Sequence, residues 1–170
     1  MMTARLLTAA AVATLLAGSA QAQTAPQTAT AELKNSQAQA VGTVVLTAAP
    51  KGVLLHIEIK GLTPGWHGLH FHEKGDCSTS DFTSAGAHTH GSGTSVHGLL
   101  NPAANDTGDL PNIHAGSDGA AAAEVFTSLV TLASLKDADG SAVVVHANPD
   151  DYMAQPIGGA GPRVACAVVK

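Results

Sequence analysis

VLLHIEIK, residues 53–60, alternates without a break: Val53, Leu55, Ile57 and Ile59 fall on one face of an extended chain, and Leu54, His56, Glu58 and Lys60 on the other. Period two over a full strand length marks a strand with one face against a core. Upstream, AVGTVVLTA (residues 40–48) is rich in β-branched residues and reads as a second strand. Ala49-Pro50-Lys51-Gly52 between them suits a short hairpin connection. Downstream, Gly61-Leu62-Thr63-Pro64-Gly65 is a turn, and WHGLHFHE (residues 66–73) reads as a third strand. AAAAEVF (120–126), SAVVVHA (141–147) and RVACAVV (163–169) supply three more, while residues 129–135 fit a short helix or a strand equally well. Residues 74–116 are rich in Gly, Pro and Asn and carry no period, so they read as a long loop region, a feature that usually serves function in a compact domain. Heptads, a Rossmann-type glycine pattern and internal repeats are all lacking. Short strands joined by turns predict an all-β fold, an antiparallel sandwich or barrel.

The chain has 170 residues, enough for one domain with a real core. Its first 22 residues, MMTARLLTAAAVATLLAGSAQA, have one basic residue, Arg5, then a largely apolar run and a closing Ala20-Gln21-Ala22. That is the pattern of a secretory signal peptide cut before Gln23. The apolar run is too short to span a bilayer, so the reading is an exported, periplasmic or secreted protein with no membrane span in the mature chain. Residues 23–29 are polar and aperiodic and are expected to form a mobile N-terminal segment, with the domain covering 30–170. The formal charge of −5, with eight Lys and Arg in all, argues against a nucleic-acid partner, which requires clustered phosphate contacts. Cys77 and Cys166 are the two cysteines; an exported protein favours one disulfide over two buried thiols.

Nine histidines against one Trp and one Tyr is the oddest part of the composition. His70 and His72 lie two apart on a predicted strand and therefore share a face, with Leu69 and Phe71 on the other. In SAVVVHA, Val143 and Val145 face one way and Val144 and His146 the other. If the apolar partners face the core, His70, His72 and His146 project from the outer wall of the barrel, under the long loops. Imidazole ligands suit copper and zinc. A lone histidine would more simply be a surface residue; an H-x-H pair on a strand favours a metal.

GWHGLHFHEKGDC (65–77), SAGAH (84–88), HG (97–98), GDLPN (108–112), VVVHANPDD (143–151) and GPRVACAVV (161–169) occur in that order. Together they resemble the copper–zinc superoxide dismutase family, of the bacterial exported type, over essentially the whole mature chain. That family shares the β-sandwich architecture. The resemblance implies an antiparallel Greek-key β-barrel or sandwich with long metal-binding and active-site loops. It also implies disproportionation of superoxide to dioxygen and hydrogen peroxide, with a copper ion and a zinc ion as cofactors.

By the same resemblance His70, His72 and His146 match copper ligands, and His88 matches the histidine that bridges copper and zinc and carries a proton. His97 and Asp109 match zinc ligands. The family's remaining zinc histidine stands where this chain has Asp106, whose carboxylate is a chemically competent substitute. A second departure follows His88, where Thr89-His90-Gly91 replaces the usual residues; His90 is either a substitute ligand or a loop residue. Asp150 matches the aspartate that links a copper histidine to a zinc histidine, and His67, at the wrong parity to be a ligand, matches a supporting histidine beneath the site. Cys77 and Cys166 match the family's disulfide pair. Arg163 matches the arginine at the active-site mouth, where it would dock the superoxide anion, and Lys74 is either a further part of a positive funnel or a solvated charge. His56 and His114 match no ligand. Two other functions share the fold: a periplasmic copper-binding or copper-buffering protein, and a copper-only dismutase. The sequence leaves monomer or homodimer open.

Overall fold

A computed structural model of the chain describes residues 25–90 and 93–170. The expected signal peptide lies outside the described residues. Among the described residues nine strands carry the fold: β1 (Thr28–Asn35), β2 (Ala40–Ala49), β3 (Gly52–Ile59), β4 (Gly65–His67), β5 (Leu69–His72), β6 (Ile113–Ala115), β7 (Ala121–Thr127), β8 (Ser141–His146) and β9 (Arg163–Val169). Seven of them form one curled antiparallel sheet in the order β5-β8-β9-β1-β2-β3-β7, and β4 pairs with β6 in a small second sheet. β1, β2 and β3 are hairpin neighbours, whereas β7 returns beside β3 and β5 lies at the far edge beside β8. These crossovers are of the Greek-key kind. Among the described residues no helix is long and apolar enough to cross a membrane.

The alternation in residues 53–60 works as its pattern requires. Val53, Leu55, Ile57 and Ile59 are buried, and they meet Val44 and Leu46 of β2, Leu69 and Phe71 of β5, and Val143 and Val145 of β8 in one core. Burying each of these larger side chains contributes about 1.5–3 kcal/mol. The opposite face of β8 is covered as well: Ala142 and Val144 pack with Phe82, Ala85 and Cys166 in a second, smaller cluster under the loop that follows β5. This is why all six residues of β8 are buried, the signature of a strand sandwiched on both faces.

Three expectations change. Residues 66–73 form two strands in different sheets, not one. The chain breaks at Gly68, whose N–H donates to Asn148 O (2.8 Å) and whose carbonyl accepts from His146 N–H (2.9 Å). A Cβ there would stand 2.9 Å from that of Ala160, closer than side-chain carbons pack. Strand pairing begins before residue 30, because Thr28 and Ala29 already pair with Thr47 and Leu46 in β1. The long loop also holds a 3-10 turn at Thr83–Ala85 and strand β6, both too short to carry a readable period. The undecided segment becomes a one-turn helix, α1 (Leu132–Leu135), capped by Thr131, whose hydroxyl accepts from Ser134 N–H while the Ser134 hydroxyl accepts from Thr131 N–H.

Cys77 and Cys166 form a disulfide across 89 residues, tying the loop after β5 to β9. Closing a loop of this size removes chain entropy from the unfolded state worth about 4–5 kcal/mol. Cys77→Ser/Cys166→Ser is therefore expected to lose most of that in equilibrium urea unfolding; an unchanged midpoint would show that the bond does not constrain the unfolded chain.

Candidate metal centre

His70 and His72 project from the outer face of β5, and His146 from the same face of β8, while Leu69, Phe71, Val143 and Val145 enter the core. The outward histidines are nonetheless buried, at 0, 0 and 1% exposure, because loops cover them. The cover is built on the free edge of β5. Phe71 N–H donates to Gly108 O (2.8 Å) and Thr89 N–H donates to Phe71 O (2.9 Å), so both loop segments dock on one residue of the edge. This docking sets His88 beside His72 and Asp109 beside His70 as isolated bridge partners. An edge that would otherwise expose unpaired backbone thus becomes the frame that delivers the remaining polar side chains.

Ligating atoms of His70, His72, His88 and His146 lie within 4.8 Å of one another, as do those of His70, His88, His97 and Asp109. The tautomers of the first set follow from their partners. His72 Nδ1–H donates to Gly86 O (3.0 Å), His146 Nδ1–H to Gly161 O (3.0 Å), and His70 Nε2–H to an Asp150 carboxylate oxygen (2.8 Å). The other nitrogen of each ring, His72 Nε2, His146 Nε2 and His70 Nδ1, is buried without a hydrogen-bond partner, and so is His88 Nε2. Four converging imidazole nitrogens with no hydrogen-bond partner fit a transition metal that prefers nitrogen ligands.

His88 faces both ways. While its Nε2 belongs to that set, its Nδ1 lies 2.9 Å from Asp106 Oδ2 and 3.4 Å from Asp109 Oδ1. His97 Nδ1 lies 2.6 Å from Asp109 Oδ1, and its Nε2 lies 3.0 Å from Asp150 Oδ1. Asp150 therefore spans His70 and His97, one carboxylate oxygen each. Its seat is tight: a Cβ on Gly158, which has φ +58°, would strike the Asp150 carboxylate and come within 2.9 Å of His97 Nε2. Two histidines and one or two aspartates are a donor set that suits zinc. Asp106 is buried and aims one oxygen at His88, but it stands outside the second four-residue set. Its other oxygen accepts from Gly108 N–H (2.8 Å), which closes the turn that carries Asp109. The ring of His90 lies 3.7 Å from the Glu73 carboxylate and outside both sets.

Both guanidinium nitrogens at the tip of Arg163 donate to the disulfide-tied loop, to Phe82 O and to Gly86 O at 2.6 Å. Gly86 O also receives the His72 ring proton, so one carbonyl positions both side chains. Arg163 lines two adjoining clefts, one with His146 and one with His88 and Asp106. Lys74 lines neither of these clefts. His67 is buried, with Nδ1 2.7 Å from His146 O and Nε2 2.8 Å from Thr63 O. His56 sits exposed between Glu58 and Glu124, and His114 lies against Trp66.

Residues that the sequence reading passed over hold these groups in place. Asn112 grips Asp150 by a reciprocal pair, Asp150 N–H to Asn112 Oδ1 (2.9 Å) and Asn112 Nδ2 to Asp150 O (2.8 Å). Gln155 does the same for His97 from another loop, and the Ser95 hydroxyl donates to Asp106. Asn112 closes the GDLPN motif, but a turn explains it equally well; Gln155 and Ser95 carry no sequence signal.

Electrostatics divide the centre. Burial, then the charges of His88 and Arg163, push the His72 ring down to about 2. Burial and then His70 push His146 down to about 3. At His97 burial opposes the charged ring, but the hydrogen bonds to Asp109 and Asp150 outweigh it and raise the pKa to about 10. Burial opposes the charged form of both carboxyls, but hydrogen bonds with His88 and then His97 hold Asp109 below its usual range, and those with His70 and then His97 do the same for Asp150. In the metal-free protein the unfolded chain binds more protons than the folded one between about pH 3 and the ordinary histidine value of 6.5, through His72 and His146, so stability rises with pH there. From 6.5 to about 10 the folded chain keeps the His97 proton that the unfolded chain has lost, so stability falls. Urea midpoints of the metal-stripped protein are expected to peak near neutral pH; a steady rise from pH 4 to 10 would contradict this assignment of charge.

Residues 40–169 match the family described as copper/zinc superoxide dismutase (SODC). A superoxide dismutase [Cu-Zn] of Caulobacter vibrioides is 63% identical over 148 residues, covering 84% of this chain and 85% of its own. The structure of the Cu/Zn superoxide dismutase from Brucella abortus superposes with a TM-score of 0.72 at 31% identity, over 85% of this chain and all of that one. A superoxide-dismutase-like protein from Bacillus subtilis gives 0.74 at 34%, over 83% and 97%. With a match over most of its length, and with two buried groups of histidine and aspartate that could each hold a metal ion, this chain belongs to the copper/zinc superoxide dismutase family.

Proposed function

We propose that the protein is a superoxide dismutase, converting two superoxide ions and two protons to dioxygen and hydrogen peroxide. The observation that carries this is the convergence of four partnerless imidazole nitrogens beside Arg163. His70, His72, His88 and His146 would hold copper, and His88, His97 and Asp109 would hold zinc, with Asp106 the candidate to complete the set. Bound copper supplies a one-electron couple, which zinc lacks.

The chain's own residues do the rest. Arg163, held by Phe82 O and Gly86 O, presents its remaining N–H groups to an anion entering beside His146 and His88. His88 holds a proton at Nε2 whenever that nitrogen is not a ligand, and delivers it to the reduced product. Gly86 O, Gly161 O and Asp150 hold the other three rings in one tautomer and one orientation. His67 joins the Thr63 turn to the carbonyl of His146 and supports the ring from beneath. Residues 1–22 act as a cleaved export signal, and the mature protein works in the periplasm or outside the cell, as a monomer or homodimer.

A copper-only dismutase is the second reading, favoured by Asp106 facing His88 Nδ1 from outside the second metal set. Dismutation after loading with copper alone, and with copper and zinc, separates the two; no activity in either state would instead leave a copper-binding protein. Zinc stoichiometry and affinity should fall in Asp106→Ala, and equal values would remove Asp106 from the ligands. Arg163→Ala is expected to keep copper while its rate drops and loses most of its dependence on ionic strength. A rate matching the parent at every salt concentration would end the docking role.

A further inference from the structure

We infer that Gln155 is a positioning residue for the zinc side of the centre. This rests on the ligand reading above and adds a residue to it. The Gln155 side-chain amide brackets the backbone of His97: His97 N–H donates to Oε1 (2.9 Å), and Nε2 donates back to His97 O (2.8 Å). The same Nε2 also donates to Met153 O (3.0 Å), so the amide is anchored to its own loop while it grips the other. These bonds mimic a two-residue strand pairing, made by a side chain 58 residues away in sequence.

Its target is particular. Among the buried histidines, His97 is the one whose two ring nitrogens both face carboxylates, Asp109 on one side and Asp150 on the other. Asp150 in turn holds His70. A shift of the His97 backbone is therefore felt at both carboxylates, and through Asp150 at a ring of the other cluster. The 97–101 turn is otherwise held by Asn101 Nδ2 to His97 O (3.1 Å), Gly98 N–H to Asp109 Oδ2 (2.7 Å) and Leu100 N–H to Tyr152 O (3.2 Å). Gln155 alone among these partners binds both backbone groups of His97. It also precedes Pro156 and Ile157, which line the cleft at His88 and Arg163. The clamp thus makes the seat of the mouth loop and the position of His97 one mechanical unit, a second tie beside Asp150.

The test measures metal release, not turnover. Protein loaded with copper and zinc is mixed with a chromogenic zinc chelator, and the release rate is compared among the parent, Gln155→Ala, Gln155→Glu and Met153→Ala. Substitutions that loosen a metal ligand's support typically cost 10–100-fold in affinity. Gln155→Ala is expected to release zinc at least about tenfold faster. Gln155→Glu keeps the length and the acceptor for His97 N–H but sets an oxygen against His97 O, and it is expected to release faster than the parent too. Met153→Ala, an exposed side chain in the same loop, should match the parent and so excludes general loosening of the loop. Cobalt placed in the zinc position should show altered visible bands in both Gln155 variants. Parent-like release or parent-like cobalt bands in either Gln155 variant would overturn the two-sided clamp, as would equally fast release from Met153→Ala. If the parent itself bound no zinc, the ligand reading would fail, a result distinct from failure of the clamp.

Discussion

Four imidazole nitrogens, of His70, His72, His88 and His146, are buried near one another with no hydrogen-bond partner. Each buried group left in this condition costs about 1–3 kcal/mol, and much of the outer half of the molecule is arranged to impose that condition. Gly86 O, Gly161 O and Asp150 take the ring protons on the far sides of His72, His146 and His70, which leaves the near nitrogens no alternative but to face inward. A cation relieves the cost for all of them at once. The site is thus an unfavourable arrangement of polar groups held by the favourable burial beneath it, in which the two valines and the Leu69–Phe71 pair lock β5 and β8 to the core.

The cover over these histidines depends on a short edge. β5 has four residues, and its outer side pairs with loop segments around residues 89 and 108 instead of a further strand. The same few backbone bonds place His88, with one nitrogen in each cluster, and Asp109. The disulfide then ties the loop carrying Phe82 and Gly86 to β9 three residues after Arg163, so the guanidinium and the loop that orients it share one anchor. Asp150 spans the two clusters from the opposite loop. Loop segments with almost no regular structure are tied together here by hydrogen bonds of their buried polar side chains.

Much of this was legible. Alternation at residues 53–60 and the parity of Leu69-His70-Phe71-His72 place apolar side chains inward and histidines outward from local geometry alone. The ordered motifs extend that to the family and to the residues at the centre. Where the reading was less sharp, the cause was length or distance. WHGLHFHE alternates across a break that only Gly68's contacts with Asn148, His146 and Ala160 reveal. β6 is three residues long, and Thr28 and Ala29 are strand because β2 extends opposite them. Gln155 looks like any polar loop residue until the fold sets it against His97.

By itself, then, the sequence determined the strand-rich class, the face each β5 and β8 side chain takes, and the residue types at the centre, because period and chemical identity are local properties. Only the tertiary structure decided that His88 turns one nitrogen to each cluster, that Asp150 divides its oxygens between His70 and His97, and that Asp106 stands against His88 while His90 turns toward Glu73. Those outcomes depend on how loops far apart in sequence dock on one strand edge, and hydrogen bonds between distant segments leave no periodic trace in the chain that forms them.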